Sequence, residues 1–344
     1  MVLGGLLPSS PAVAVGLIIV TTGVIWIGSG WLESSAEQLS AYYGLPPVVQ
    51  GSIVVAIGSS FPELASVVIT ALAGVFDMGI GAIVGSAIFN ILVIPALAGM
   101  AATGNLEANR TLVYKEAQFY MIAVAVLLIT FALAVIYVPA PGGSPLVGQL
   151  TRPLAVLPLL CYGLYLFIQW QDVSEHVAEP VTHPNIRREW LTLVGGLVLI
   201  VVGVEQLVSG VEVLTETFGV PDFLAGVTIL AAATSLPDTL VSVRSAQAGH
   251  GLTSLGNVLG SNTFDLLVAI PIGVLIIGTV PVDFAVAVPM FAVLTLATVM
   301  LFAFLRTHLS LTTLEAYILL VAYALFVAWV IAETLGITTL IRAA

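Results

Sequence analysis

Ten apolar runs, each long enough to cross a lipid bilayer, alternate with short polar breaks along this chain. A span needs about 20 apolar residues. The runs fall near 11–41, 46–73, 79–101, 112–138, 150–170, 189–217, 221–247, 253–278, 284–305 and 312–334. The breaks hold turn-forming or polar residues: Gly44-Leu45-Pro46-Pro47, Gly74 to Asp77, Thr103-Gly104-Asn105, Pro139 to Pro145, Gly219 to Asp222 and Arg306-Thr307-His308. The pattern predicts an all-α integral membrane fold of ten transmembrane helices. The longest polar segment, Gln171 to Glu189, divides five helices from five, which gives a first five-helix repeat over 1–170, a linker over 171–188 and a second repeat over 189–344.

Polar positions inside the apolar runs recur at a fixed interval. Gly58-Ser59-Ser60-Phe61-Pro62-Glu63 matches Ala233-Thr234-Ser235-Leu236-Pro237-Asp238, and Gly85-Ser86-Ala87-Ile88-Phe89-Asn90 matches Gly260-Ser261-Asn262-Thr263-Phe264-Asp265. Both pairs are 175 residues apart, and the halves align without a gap from Gly44/Gly219 to Val93/Val268. Because five spans is an odd number, the second copy enters the membrane from the opposite side, so the halves form an inverted pair.

The repeated residues are oxygen donors. Ser59 and Ser60 precede Glu63 by four and three positions and share its helix face, as Thr234 and Ser235 do for Asp238. Ser86 with Asn90, and Ser261 with Asp265, follow the same one-turn spacing. Pro62 and Pro237 offer no N–H, so the carbonyls of Gly58 and Ala233 lose their helical partners and the helices kink. Carboxylates, hydroxyls and freed carbonyls are the hard ligands that Ca2+ and Na+ prefer. One buried acid at mid-membrane costs about 2.5–3.5 kcal/mol, and no basic residue shares a face with Glu63, Asp238 or Asp265. Bound cations or protons are left to neutralise them.

Composition narrows the class further. Hydrophobic residues make up 59% of the chain and charged residues 8%, where soluble domains carry about 25% charged residues, and the mean hydropathy is +1.15. The first apolar run continues through Trp26 and Trp31 without a small-residue cleavage site, and reads as a spanning helix. The single Cys161 and four scattered histidines exclude a disulfide and give a zinc centre no support. A net charge of −11 without a basic stripe argues against nucleic-acid binding. With one lysine among eight basic residues, the same balance points to an exterior suited to high salt. Gly79-x-Gly81-x-x-x-Gly85 lacks the βαβ context of a dinucleotide loop and is read as small-residue helix packing.

The motifs and the ten-helix layout resemble the two alpha-repeats of the sodium/calcium exchanger superfamily, also called cation/calcium antiporters. Asp238 after the second Pro, with Ser86-Ala87-Ile88-Phe89-Asn90 and Ser261-Asn262-Thr263-Phe264-Asp265, is closest to the potassium-dependent branch. The resemblance implies a site with Glu63 and Asp238 as principal calcium carboxylates. It implies flanking ligands Ser59, Ser60, Ser86 and Asn90 from the first half, Thr234, Ser235, Ser261 and Asp265 from the second, and backbone carbonyls near Ala56 and Ala231. It also implies that the first and sixth helices, long and amphipathic at Glu33/Glu37 and Glu212/Glu216, slide across the bundle.

The reading is a secondary antiporter, not an enzyme, that exchanges Ca2+ for Na+, with K+ co-transport open and no cofactor beyond the transported ions. Its partners are those ions and the lipid bilayer, with a monomeric functional unit. An H+/Ca2+ antiporter remains the alternative. An intramembrane aspartyl protease using Asp238 and Asp265 fits less well, since a water-activating pair needs no duplicated hydroxyl cages, and a cation channel is opposed by the kinked pockets. With the N-terminus outside, Arg110, Lys115, Arg187, Arg188, Arg244 and Arg306 lie inside, leaving Arg152 and Arg342 outside, so the central segment is cytoplasmic in a cell membrane. A cysteine replacing Glu179 is therefore expected to react with impermeant reagents from the cytoplasmic side only; labelling from outside contradicts the orientation.

Overall fold

A computed structural model of the protein describes residues 10–44, 54, 56–141, 145–173 and 185–339. The first half runs α1 (Pro11–Tyr42), α2 (Ala56–Ser59), α3 (Phe61–Ala73), α4 (Phe76–Leu92), α5 (Ile94–Ala101), β1 (Leu106–Glu107), a π-helical turn at Leu112–Glu116, α6 (Ala117–Tyr137), β2 (Val147–Thr151) and α7 (Arg152–Val173). The second runs α8 (Ile186–Phe218), α9 (Asp222–Ala225), a π-helical turn at Gly226–Leu230, α10 (Ala231–Thr234), α11 (Leu236–Gln247), α12 (Gly251–Phe264), a π-helical turn at Asp265–Ala269, α13 (Ile270–Ile277), β3 (Thr279–Asp283), α14 (Phe284–His308), β4 (Ser310–Leu311) and α15 (Thr313–Thr334).

Among the described residues eight helices are long and apolar enough to cross a membrane, and the bent pair 222–234 and 236–247 makes a ninth. The run expected over 46–73 is seen as α2 and α3, its beginning lying outside the described residues. Most of the linker expected over 171–188 also lies outside them. Local chemistry sets the ends. The Ser10 hydroxyl caps α1 by accepting from the Val13 N–H at 3.4 Å, with Pro11 at the first helical position. The Asn185 side chain caps α8 the same way through Arg188 N–H. Gly44 and Gly219, at matching places in the two repeats, follow these helices with φ of +69° and +64°, where a side chain would be strained.

The second and seventh runs are broken at their prolines. Pro62 and Pro237 sit at the second position of α3 and α11, where the missing N–H costs nothing to the new helix but leaves the preceding turn unbonded. The chain passes through Ser60 (φ −85°, ψ 5°) and Ser235 (φ −81°, ψ −1°), both in the sparsely allowed bridge region. In the second half the two pieces meet at 45°.

Two short antiparallel ladders were not legible in the sequence. Leu106 and Glu107 of β1 pair with Leu311 and Ser310 of β4, and Val147–Thr151 of β2 pairs along β3 from Asp283 to Thr279. β1 and β3 follow the third span of their own half, and β2 and β4 follow the fourth. Each half therefore lends one strand to the other in a reciprocal exchange, as an inverted pair demands.

Burial sorts the helices. α4–α5 and α12–α13 are enclosed at the centre, while α1, α7 and α15 present most of their surface outward. Side chains such as Ile19, Val20, Leu160 and Leu325 there, with Leu191 of α8 and Leu296 of α14, are exposed, which suits contact with lipid tails and makes this a multi-pass membrane protein. α1 lies along α8. A Cβ on Gly196 would stand 2.6 Å from the Gly28 carbonyl oxygen, so this seam is made by glycine. At the centre, a Cβ on Gly85 would overlap the backbone of Val227, which explains the spacing Gly79-x-Gly81-x-x-x-Gly85 as helix packing. Gly85→Ala is expected to destabilise the protein by about 1–3 kcal/mol through overpacking. Gly163→Ala, which meets nothing within 4 Å, is expected to leave thermal unfolding unchanged or raise it. Equal melting temperatures for Gly85→Ala and the parent contradict the packing.

Candidate functional site

The two breaks bring opposite helix ends to the same place. α2 and α10 end on carbonyl-bearing turns, which carry partial negative charge. α3 and α11 begin there with their positive ends. Glu63 and Asp238 occupy the first turn of α3 and α11, where the helix termini favour a carboxylate. Ser86 and Asn90 come from α4, Ser261 from α12, and Asp265 opens the π-helical turn that follows α12. A π-helical turn also precedes α10, so irregular helix geometry flanks the site as it often does at functional positions. All ten polar side chains expected at the site (Ser59, Ser60, Glu63, Ser86, Asn90, Thr234, Ser235, Asp238, Ser261, Asp265) are fully buried.

Each acid is held by both halves. The Ser86 hydroxyl donates to Glu63 Oε1 at 3.4 Å and the Ser261 hydroxyl to Asp238 Oδ1 at 3.3 Å, the same pair in each repeat. Across the halves, Ser235 Oγ donates to Glu63 Oε1 at 3.4 Å and Asn90 Nδ2 to Asp238 Oδ2 at 3.4 Å. The Ser86 and Ser235 hydroxyls stand 2.7 Å apart and those of Ser59 and Ser261 3.1 Å apart, so one of each pair can donate to the other in place of its first acceptor. Asn90 Nδ2 also reaches Ser86 Oγ at 3.5 Å, so Glu63 and Asp238 are joined through two intervening side chains. These hydrogen bonds come from hydroxyls and amides, which satisfy lone pairs without cancelling charge.

Several buried oxygens in this network have no hydrogen-bond partner among the described residues: Ser60 Oγ, Glu63 Oε2, Asn90 Oδ1 and both carboxylate oxygens of Asp265. Buried polar atoms are nearly always paired, so a group of orphaned acceptors needs a ligand that accepts electron density, which a cation does. Asp265 lies within electrostatic reach of Glu63 and Asp238, and the Ser60 hydroxyl stands beside it outside hydrogen-bonding geometry. Among the described residues no three His, Cys, Asp or Glu side chains draw together as a metal-holding group. The oxygen set around Glu63 and Asp238 is therefore mixed, with hydroxyls and amides between the carboxylates.

The mirror symmetry fails at two positions. Thr234, which matches Ser59, turns its hydroxyl back to the carbonyls of Leu230 (3.1 Å) and Ala231 (3.3 Å), as helical threonines do. The Ala231 carbonyl also accepts from Ser235 N–H at 3.0 Å, and Ala56, its counterpart, opens α2. Asn90 donates through an amide its counterpart Asp265 lacks: Asn90 Nδ2 finds Asn262 Oδ1 at 2.9 Å, while both Asp265 oxygens are without a partner among the described residues.

Three polar residues of α12 and α11 belong to this network and were not singled out as ligands from sequence. Asn257 accepts from Ser59 at 3.4 Å and donates to Ser242 at 3.3 Å. Asn262 donates to the Ala87 carbonyl at 3.2 Å and to the Tyr120 hydroxyl at 3.3 Å. In the repeat Asn257 and Asn262 match Ala82 and Ala87, so a search for duplicated polar residues passes over them. The usable signal was their spacing, since Asn257 precedes Ser261 by one helical turn.

The inner membrane protein YrbG of Escherichia coli is 26% identical over 276 residues, covering 76% of this chain and 80% of YrbG. The human sodium/potassium/calcium exchanger 4 is 37% identical over 95 residues, which span 28% of this chain and only 15% of that protein. A solved structure of the sodium-calcium exchanger NCX_Mj shares the fold with a TM-score of 0.65 at 22% identity, covering 93% of this chain and 99% of that one. The model of the family described as sodium/calcium exchanger protein matches residues 13–171 and 188–332, nearly the whole of both halves. The chain belongs to the sodium/calcium exchanger family of membrane transporters.

Proposed function

We propose that the protein exchanges Ca2+ for Na+ by alternating access, with Glu63 and Asp238 as the carboxylates that hold the transported ions. The supporting observation is the group of partnerless oxygens on Ser60, Glu63, Asn90 and Asp265, buried where two broken helices meet. Ser59, Ser86, Ser235 and Ser261 stand around the two acids, and Thr234 and the carbonyls near Ala56 and Ala231 complete the proposed donor set. Both halves of the site come from one chain, so a monomer is the functional unit.

Ca2+ and Na+ compete for the same oxygens. With Glu63 and Asp238 ionised and Asp265 protonated the site carries two negative charges, which one Ca2+ or two Na+ neutralise. Bare, it is held on one side by the cost of moving charge through hydrocarbon, about 2.5–3.5 kcal/mol for each acid on insertion scales. α1 and α8, packed on each other along glycines and with one face of each turned outward, are the pair that slides. The positive-inside distribution puts the N-terminus outside and the central segment in the cytoplasm, between repeats ending near 170 and beginning near 189.

A potassium-coupled reading rests on Asp265. Ionised, it raises the site to three negative charges, and K+ beside Ca2+ then balances it. Protons can neutralise the acids as Na+ does, so H+-driven calcium transport is the competing mechanism. Calcium flux in proteoliposomes under Na+, K+ and H+ gradients imposed one at a time separates the three. Sodium-driven flux is expected, and its loss by at least about a hundredfold, equivalent to about 2.7 kcal/mol, in Glu63→Ala and in Asp238→Ala. Retained sodium-driven flux in both variants contradicts the assignment. In Asp265→Asn any potassium requirement is expected to vanish; its persistence removes Asp265 from that role.

A further inference from the structure

The sliding helix α1 carries polar groups that the central site does not use. Glu33 packs beside the first helix break, its side-chain Cγ lying 3.6 Å from where a Cβ on Gly58 would be. Its Oε1 is buried without a hydrogen-bond partner among the described residues, and its charge acts on that of Asp238. One turn earlier on the same face, Ser29 is fully buried and its hydroxyl is also partnerless. α1 packs against α2 and α11, so this face looks onto the broken helices.

The second half has no equivalent. α1 and α8 keep the repeat offset, since Gly28 matches Gly203 and Glu37 matches Glu212. At that offset Ser29 and Glu33 correspond to Val204 and Val208, both buried and apolar. Two acids of α8 are buried elsewhere: Glu189 corresponds to Ala14, and Glu205 corresponds to Gly30 and borders a cavity of about 210 Å³ lined by Phe61, Leu64, Ala65 and Leu72 along the shaft of α3. α1 thus carries a carboxylate and a hydroxyl beside the broken helices at positions where α8 carries valine.

We propose that Ser29 and Glu33 form, with Asp238, a second cation subsite that ions occupy on their way to the central site from one side of the membrane only. Two carboxylates of like charge at the mouth of a low-dielectric site repel each other unless a cation stands between them. The chemistry fits a hard cation, Ca2+ or Na+, held by carboxylate and hydroxyl oxygens. Because Glu33 lies in the C-terminal half of α1, the favoured side is the one on which α1 ends, the cytoplasm in the orientation proposed above. An exchanger so built captures Ca2+ at lower concentration from inside than from outside.

The subsite rests on the exchange reading, and the experiment separates the two. In proteoliposomes of known orientation, the half-saturating Ca2+ concentration is measured at each face for the full-length protein, Glu33→Gln, Glu33→Asp and Ser29→Ala. Glu33→Gln is expected to raise it by about three- to tenfold at the face where α1 ends and by less than about twofold at the other, as loss of one local charge implies. Glu33→Asp, which keeps the charge, is expected to restore most of the affinity. If Glu33→Gln carries no flux, the same comparison of faces is decided with Ser29→Ala. Equal shifts at both faces, or none, overturn the subsite while leaving the exchange reading intact. Absence of calcium flux in the parent protein overturns both.

Discussion

Carboxylates placed at the centre of an apolar bundle without a lysine or arginine among their hydrogen-bond donors are the constraint on which the rest of the molecule depends. Glu63 and Asp238 receive hydroxyl and amide hydrogen bonds from both halves. These fix the oxygens in space but leave the charge to be balanced by something that comes and goes. A salt bridge would have neutralised the acids permanently and removed any reason for an ion to bind. The breaks serve the same end, because they put a helix N-terminus behind each carboxylate and carbonyl-bearing turns before it. Both features follow from a proline two residues after a pair of hydroxyls, used twice.

The inverted architecture holds these broken segments in register. Strands β1 with β4 and β2 with β3 tie each half to the other. At the centre Gly81, Gly85 and Gly226 remove side chains where α4 crosses the segment around Phe223 to Val227. Backbones in such close contact leave little freedom for the ligand-bearing helices to shift. The α1–α8 seam is also glycine-built, while residues of both helices such as Ile19 and Leu191 face outward.

Much of this was legible in the sequence because a membrane chain states its polar positions against an apolar background. The repeat of Ser-Ser-Phe-Pro-Glu as Thr-Ser-Leu-Pro-Asp located the breaks, and all ten duplicated polar side chains prove to be buried together. What sequence withheld was what duplication cannot reveal. Asn257 and Asn262 have alanines as their counterparts, and so did not stand out, although they hydrogen-bond into the network. The different fates of Asn90 and Asp265 depend on which neighbours can donate, a three-dimensional fact. The strand ladders lie in or beside the short breaks between apolar runs, and pairing of two or five residues leaves no periodic signal. Ser29 and Glu33 stood on a helix that looked merely amphipathic until its packing against Gly58 was known.

The central claim is that oxygens from two mirrored, broken helices hold one dehydrated divalent ion between them. Anomalous diffraction from crystals soaked in Sr2+ tests it most directly. A peak in coordinating contact with both Glu63 and Asp238, at about the 2.3–2.6 Å typical of calcium-like ions, is the predicted result. Strontium bound only at the protein surface, or to one of these acids with the other turned away, would contradict it.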